Sequence, residues 1–116
     1  MIPQLMAALR SAIPGADVRL LDATPSPVVR NTPHRELATP PAALITVRLL
    51  ISTNGLEAAY ETVLAELMRN PVLDVDGQSV RTIIVPASVD EKVRLWLALG
   101  TPFVPSILLE AGPLEV

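Results

Sequence analysis

The sequence predicts one α/β (α+β) domain, in which a single mixed or antiparallel sheet of about four to five strands packs with about three helices. The length of 116 residues suits one hydrophobic core and leaves nothing for a second. Apolar residues recur with helical spacing in some segments and alternate in others. Asp76-Gly77, between two strand-like runs, predicts a hairpin and therefore some antiparallel pairing.

The N-terminal segment is the first predicted helix, because its apolar residues recur at three- and four-residue steps. It ends at Pro14-Gly15, a pair that breaks helices. Residues 16–22 follow as a short predicted strand. The apolar stripe of the helix consists of Ile2, Leu5, Met6, Leu9 and Ile13.

Residues 23–41 are predicted to form a long proline-rich arm. Proline removes the amide donor that a helix or a central strand needs, so neither can form over most of this stretch. Loops of this length are usually functional or disordered. Two interpretations stay open, an arm that contacts a partner and a merely mobile loop. The prolines are Pro25, Pro27, Pro33, Pro40 and Pro41.

Residues 42–51 are predicted to form a strand with one wholly apolar face. The opposite face carries Arg48 between apolar neighbours. This pattern predicts a sheet surface that is covered only partly, or covered by another subunit. After the polar break at residues 52–55, a helix is expected to begin at Leu56 and to end before Asn70-Pro71.

The last third of the chain is predicted to contain a hairpin, a helix and a strand. Residues 72–75 and 79–85 flank the Asp-Gly turn and form the hairpin. Residues 88–91 form a capping box, so a helix begins there and runs to Leu99. Because its apolar residues cover more than one side, we expect this helix to be buried from more than one direction. Residues 106–110 form a last strand, followed by a short tail.

The charges argue against nucleic-acid and membrane partners. The nine basic and twelve acidic side chains give a net charge of -3 and are scattered along the chain. Binding to nucleic acid or to an anionic membrane needs clustered lysine and arginine. The most apolar run, residues 42–51, is about half as long as a membrane-spanning helix, and the N-terminus does not resemble a signal peptide. The absence of cysteine excludes disulfides and thiolate metal sites.

No catalytic or ligand-binding pattern stands out, so the sequence predicts no enzyme activity, no cofactor and no metal. Asp74-Val75-Asp76-Gly77 begins like a calcium loop, but the later carboxylates are missing and a plain turn is favoured. His34, the single histidine, lies in the arm, and nothing designates a nucleophile or an orienting carboxylate for it. The five glycines are dispersed, which gives no phosphate-binding loop.

Residues 95–106 carry a resemblance to a known family. They read Leu-Trp-Leu-Ala-Leu-Gly-Thr-Pro-Phe-Val-Pro-Ser. This run resembles the N-terminal domain of the cap or tail-terminator family of extracellular contractile injection systems, of the virulence-cassette and antifeeding-prophage type. The strand at 42–51, the helix after it and residues 69–73 are similar to the same family. Larger members continue past this domain, so residues 1–116 are expected to be one terminator-like domain, either a short member or a fragment.

The resemblance implies a structural assembly protein without catalysis. Such a protein forms a ring, a hexamer in this family, on the end of the tube and sheath distant from the baseplate, and it stops polymerisation. Its partners would be other copies of itself and the sheath and inner tube proteins. It would be cytoplasmic during assembly and then part of the injection particle. The rival interpretation is a small α/β regulatory or ligand-binding domain with a concave apolar pocket.

The expected assembly interface combines the arm, the Arg48 face and the C-terminal third. Half of the residues are apolar, which exceeds what a domain of this size buries, so the surplus predicts contacts with other chains. Trp96 and Phe103 are large enough to anchor an interface, although a large aromatic on a helix is as often a core residue. The expected interface residues are Arg48, Leu95, Trp96, Leu99, Phe103, Val28, Val29 and Arg30.

Overall fold

The computed structural model describes residues 1–26, 43–54 and 57–116. These residues form one five-stranded sheet in the order β1-β2-β5-β4-β3, with every neighbouring pair antiparallel. The predicted fold class is confirmed, and the pairing is antiparallel rather than mixed. The elements are α1 (Ile2–Ala12), β1 (Asp17–Pro25), β2 (Leu44–Ser52), α2 (Glu57–Arg69), β3 (Val72–Val75), β4 (Gln78–Ile84), α3 (Val89–Leu99) and β5 (Ser106–Glu115).

One face of the sheet, here called the core face, carries the main hydrophobic cluster. Because strand side chains alternate, every second residue of the central strands points to this face. α1 and α2 cover it with the buried stripes predicted from their helical spacing. The buried members of the cluster are Leu5, Leu9, Ile13, Val18, Val47, Leu49, Ile51, Val63, Leu67, Val75, Val80, Ile107, Leu109, Ala111 and Leu114.

The opposite face, here called the outer face, is covered at one end only. α3 packs there through Trp96, its one buried residue. Leu50 is fully buried on this face, whereas Arg48, two residues earlier in β2, is exposed. Within this chain the Arg48 face is therefore covered only partly, and its coverage by another subunit stays a prediction.

The hairpin between β3 and β4 has the predicted Asp76-Gly77 turn. Both residues have positive φ, 53° and 85°, which Asp and Gly tolerate better than most residues. The Asp74 carboxylate accepts a hydrogen bond from the Gly77 amide at 3.0 Å. That carboxylate therefore stabilises the turn, as the plain-turn interpretation requires.

The predicted start of the arm at residue 23 is wrong. Ala23, Thr24 and Pro25 continue β1 and pair with β2. β1 is an edge strand, and its amides that point away from β2 need no hydrogen-bond partner in the sheet. A proline is therefore tolerated at its end. Residues 27–41 of the predicted arm, which include His34, lie outside the described residues, as does Leu56.

The predicted end of the last strand at residue 110 is also wrong, because β5 continues through Gly112-Pro113 to Glu115. The register between β2 and β5 shifts between Ile45 and Val47, and this irregularity absorbs the extra residue on β5. Strand pairing thus overrides the local turn signal of a Gly-Pro pair.

The helix α3 has the predicted boundaries but not the predicted burial. The Ser88 hydroxyl accepts a hydrogen bond from the Glu91 amide at 3.2 Å, and Gly100 ends the helix in the left-handed conformation. Within this chain, however, α3 is buried from one side only, and Leu97 is 73% exposed. Leu97 therefore faces solvent although it is apolar, and helical spacing alone does not show which apolar residues of a helix are exposed.

Candidate assembly interface

Trp96 attaches α3 to the sheet. Its indole Nε1 donates a hydrogen bond to Ser106 Oγ at 3.1 Å. The Arg19 guanidinium carbon lies 5.1 Å from the ring centroid, within the range of a cation–π contact. Arg19 is itself held by Asp17, with 2.8 Å between Nε and Oδ2. Since Trp96 is only 3% exposed, its side chain is buried within this chain, outside the main cluster.

Ser106, the first residue of β5, connects helices from both faces of the sheet. Its hydroxyl accepts from Trp96 of α3, and its backbone carbonyl accepts from the Tyr60 hydroxyl of α2 at 3.3 Å. Tyr60 packs against the main cluster. Two aromatic side chains thus fix this end of the sheet from opposite sides.

Apolar side chains are exposed on both flanks of the Trp96 anchor. Leu95 and Leu99 lie one helical turn apart on one flank, and Val89, Val93 and Leu97 follow at four-residue steps on the other. Phe103, in the segment after the helix, is 42% exposed. We call the exposed set the α3 surface, and it consists of Val89, Leu97, Leu99 and Phe103.

The uncovered part of the outer face carries a row of charges. Arg48 lies opposite Asp22 on β1 and opposite Glu110 on β5. Its Nε is 3.9 Å from Glu110 Oε2, and both side chains are substantially exposed. Exposed pairs of this kind contribute about 0–1 kcal/mol to stability. The row is therefore largely solvated, and its opposite charges offset one another.

Two exposed apolar residues lie beside this row. Ile83 lies opposite Glu110, and Val72 lies opposite Arg81. Both are about half exposed. We call the uncovered area the open sheet surface, and it consists of Asp22, Arg48, Val72, Arg81, Ile83 and Glu110.

The sheet edges are less suited to pairing with another chain than the two surfaces. β3 has only four residues. β1 has an irregularity between Leu20 and Asp22 and ends at Pro25. Short strands, bulges and prolines are the features by which proteins blunt their edge strands. Contacts with other chains are therefore better placed on the faces.

Within the described residues, no group of three or more histidine, cysteine, aspartate or glutamate side chains is arranged to bind a metal ion. None of the described helices is both long enough and apolar enough to cross a membrane.

Comparison with known proteins finds similarity in structure only. No protein-family model and no curated protein matches the sequence. The PVC sheath/tube terminator of an extracellular contractile injection system, in its extended state, aligns with 100% of this chain at a TM-score of 0.71 and 16% identity. The tube-terminating cap of the anti-feeding prophage aligns with 99% of it at 0.67 and 18% identity. The chain shares the fold of these terminators.

This terminator fold accounts for all of the chain but only part of the two proteins. The alignment spans 57% of the PVC terminator and 54% of the anti-feeding prophage cap. The resemblance drawn from residues 95–106 and the strand and helix before them is confirmed at the level of the fold.

The terminator fold brings together four of the residues expected at an interface and separates a fifth. Leu95, Trp96 and Leu99 lie on α3, and Phe103 lies in the segment that connects α3 to β5. Arg48 is on the same face but in the open sheet surface. The arm residues Val28, Val29 and Arg30 lie outside the described residues.

Sequence reasoning missed four of the exposed apolar residues that form the α3 surface and the open sheet surface. The sequence places Val89 and Leu97 on a helix that it predicts to be buried from several sides. It places Val72 and Ile83 in the hairpin but predicts no sheet face for them. The signal for Ile83 was its alternation with Thr82 and Ile84, which point to the core face, but using it requires the register of β4 against β5.

Proposed function

We propose that this chain is a structural assembly protein, a tail terminator that forms a ring on the baseplate-distal end of the tube and sheath of a contractile injection system and stops polymerisation. The observation that supports the proposal is the whole-chain structural similarity to a sheath/tube terminator and a tube-terminating cap, at TM-scores of 0.71 and 0.67. The match includes every described element, from α1 to β5.

The proposed ring is a closed hexamer with a head-to-tail contact between subunits. A ring that caps a tube must match the rotational symmetry of the tube, and only a contact whose rotation closes gives a finite ring instead of a filament. Such a contact joins two different surfaces of neighbouring subunits. The α3 surface and the open sheet surface are two different exposed areas that supply apolar contacts, so they are the candidates for it.

The interface residues have different proposed roles. Leu95, Leu99 and Phe103 would contact a neighbour directly, because they flank the anchor of α3 and part of their surface is accessible. Trp96 would act indirectly by holding α3 in place, since it exposes almost no surface of its own. Arg48 would contribute from the open sheet surface, where its bond to Glu110 is long enough to be exchanged for a bond to a partner.

The arm remains part of the proposal. Val28, Val29 and Arg30 would reach a neighbouring subunit, the sheath or the inner tube. The role as proposed needs no catalysis, cofactor or metal, and it involves neither nucleic acid nor a membrane. Assembly would take place in the cytoplasm, and the protein would then remain in the particle.

A structure of the intact particle end tests this proposal. We expect a ring of this protein, six subunits in one layer, in contact with the last tube and sheath rings. Labelling of the protein with a small fused tag should place extra density at that end only. Density at the baseplate end, or no density in purified particles, contradicts the proposal.

A further inference from the structure

α3 lies outside the hydrophobic core. The main cluster and the half-buried residues that pack against it include no residue from 85 to 106. In the part of the chain that the structure describes, two buried apolar residues do not belong to the cluster, Leu50 and Trp96. Both lie on the outer face, so the sheet separates them from the core. The packing that holds α3 is therefore independent of the packing that holds α1 and α2.

Few hydrogen bonds hold α3 to the sheet. Within the described residues, which include all of 86–105, no backbone hydrogen bond joins this segment to the rest of the fold. The last such bond before it runs from the Val85 amide to the Leu108 carbonyl, at 2.9 Å. Between this segment and the other described residues, the one side-chain hydrogen bond joins Trp96 to Ser106. Regions with few buried contacts open more readily than the core of a protein.

A polar atom in the same segment also favours opening. The Thr101 hydroxyl is buried without a hydrogen-bond partner among the described residues. A buried hydroxyl in that state loses its bonds to water and gains none in exchange. When the segment detaches from the sheet, this hydroxyl can form hydrogen bonds with water. It has no such bonds while the segment is packed on the sheet.

We propose that residues 86–105, with α3 at their centre, form a latch that detaches from the sheet as a unit while the main core stays folded. Pro86 lies in the segment before the helix, and Pro102 and Pro105 lie in the segment after it. Neither of these two segments forms a helix or a strand. Opening of the latch uncovers Leu50, Trp96 and the end of the outer face. A partner that binds the uncovered face shifts the latch toward the open state in proportion to its preference for that state. The inference does not depend on the terminator role.

Trp96 makes the latch directly observable, because it is the single tryptophan of the chain. We expect its fluorescence to change at a lower urea concentration than the far-ultraviolet circular dichroism signal. In hydrogen exchange followed by mass spectrometry, the amides of α3 should exchange at least about 100-fold faster than those of β2 and α1. Coincident urea transitions, together with equal protection of α3 and α1, overturn the proposal.

A variant of the anchor separates the latch from general instability. Ser106→Ala removes the acceptor of the Trp96 bond, keeps the backbone carbonyl that Tyr60 uses, and should increase opening of α3 about fivefold without changing exchange in α1. Thr62→Ala is the matched control, because it removes a hydroxyl bond of 2.9 Å on the exposed side of α2. An equal response of α3 and α1 to Ser106→Ala also overturns the proposal.

Discussion

Gly112 is the residue at which the backbones of two central strands come unusually close. A Cβ atom at this position would lie 3.1 Å from the Ile45 carbonyl oxygen and 3.2 Å from Thr46 Cα. Both atoms belong to the backbone of β2, which cannot move aside as the end of a flexible side chain can. The glycine therefore permits the register shift that lets β5 continue past its Gly-Pro pair.

We expect Gly112→Ala to lower the free energy of unfolding by about 1–3 kcal/mol, because the added methyl group forces the two strands apart. Urea denaturation followed by circular dichroism measures this change. Ser79→Ala, on the exposed side of β4, is the control and should change stability by less than about 0.5 kcal/mol. Equal stability of Gly112→Ala and the wild type would show that the strands can separate at no cost.

Trp96 is the one buried residue of α3, and its removal tests how far it attaches the helix to the sheet. Trp96→Ala should remove about 3–5 kcal/mol of the free energy that holds α3 to the sheet, since it removes a large buried side chain and leaves a cavity. Hydrogen exchange of the α3 amides reports the loss. Leu97→Ala, one residue along, changes a 73% exposed side chain and should leave that protection nearly unchanged. Full protection of α3 in Trp96→Ala would mean that another contact holds the helix.

At the scale of elements, the sequence predicts the features that local patterns determine. The helix α3 begins and ends where its Ser88 cap and Gly100 indicated, and the hairpin turns at Asp76-Gly77. The lengths of β1 and β5 could not be predicted in the same way. Whether a strand ends at Pro25 or at Pro113 depends on the strand with which it pairs. In both cases that paired strand is distant in sequence.

The candidate interface, too, could be predicted only where local sequence patterns determine it. The sequence predicts an interface in the C-terminal third and on the Arg48 face. In both places there are more apolar residues than one buried helix face or one buried strand face requires. It could not assign Trp96 to the inside and Leu97 to the outside of α3. Helical spacing gives the angle between two side chains, but only the position of the sheet decides which of them is buried.

The exposed side of α3 can be tested as an element. The double variant Leu97→Ser, Phe103→Ser should fold normally, because both side chains are exposed, 73% and 42%. If the α3 surface contacts a neighbour, this variant should restore capping at least about tenfold less well than the wild type in particles that lack the native protein. Particle length in electron micrographs measures capping.

Met68→Ser is the matched control for the double variant. Met68 is 68% exposed, close to the 73% of Leu97, but it lies on α2, on the side of the sheet that the core occupies. We expect Met68→Ser to cap as well as the wild type. If both variants cap equally well, the contact does not use the α3 surface.

At the scale of the whole molecule, the fold has one complete core and one incomplete face. α1 and α2 bury the core face, whereas α3 covers the outer face at one end only. The apolar surplus seen in the composition is concentrated there, on α3, the segment after it and the strands β3 and β4. A monomer gains nothing from leaving these side chains in water, whereas a subunit of the proposed ring would cover them with its neighbours.

A terminator stops the growth of a tail, so tail length in the absence of this protein is the decisive test of the proposed function. Particles would be produced with and without the gene for this chain, and their lengths measured in negative-stain electron micrographs. We expect tails without the protein to be variable in length, with many longer than normal, and the wild-type chain to restore a single length. Tails of normal, uniform length in the absence of the protein would rule out the terminator role.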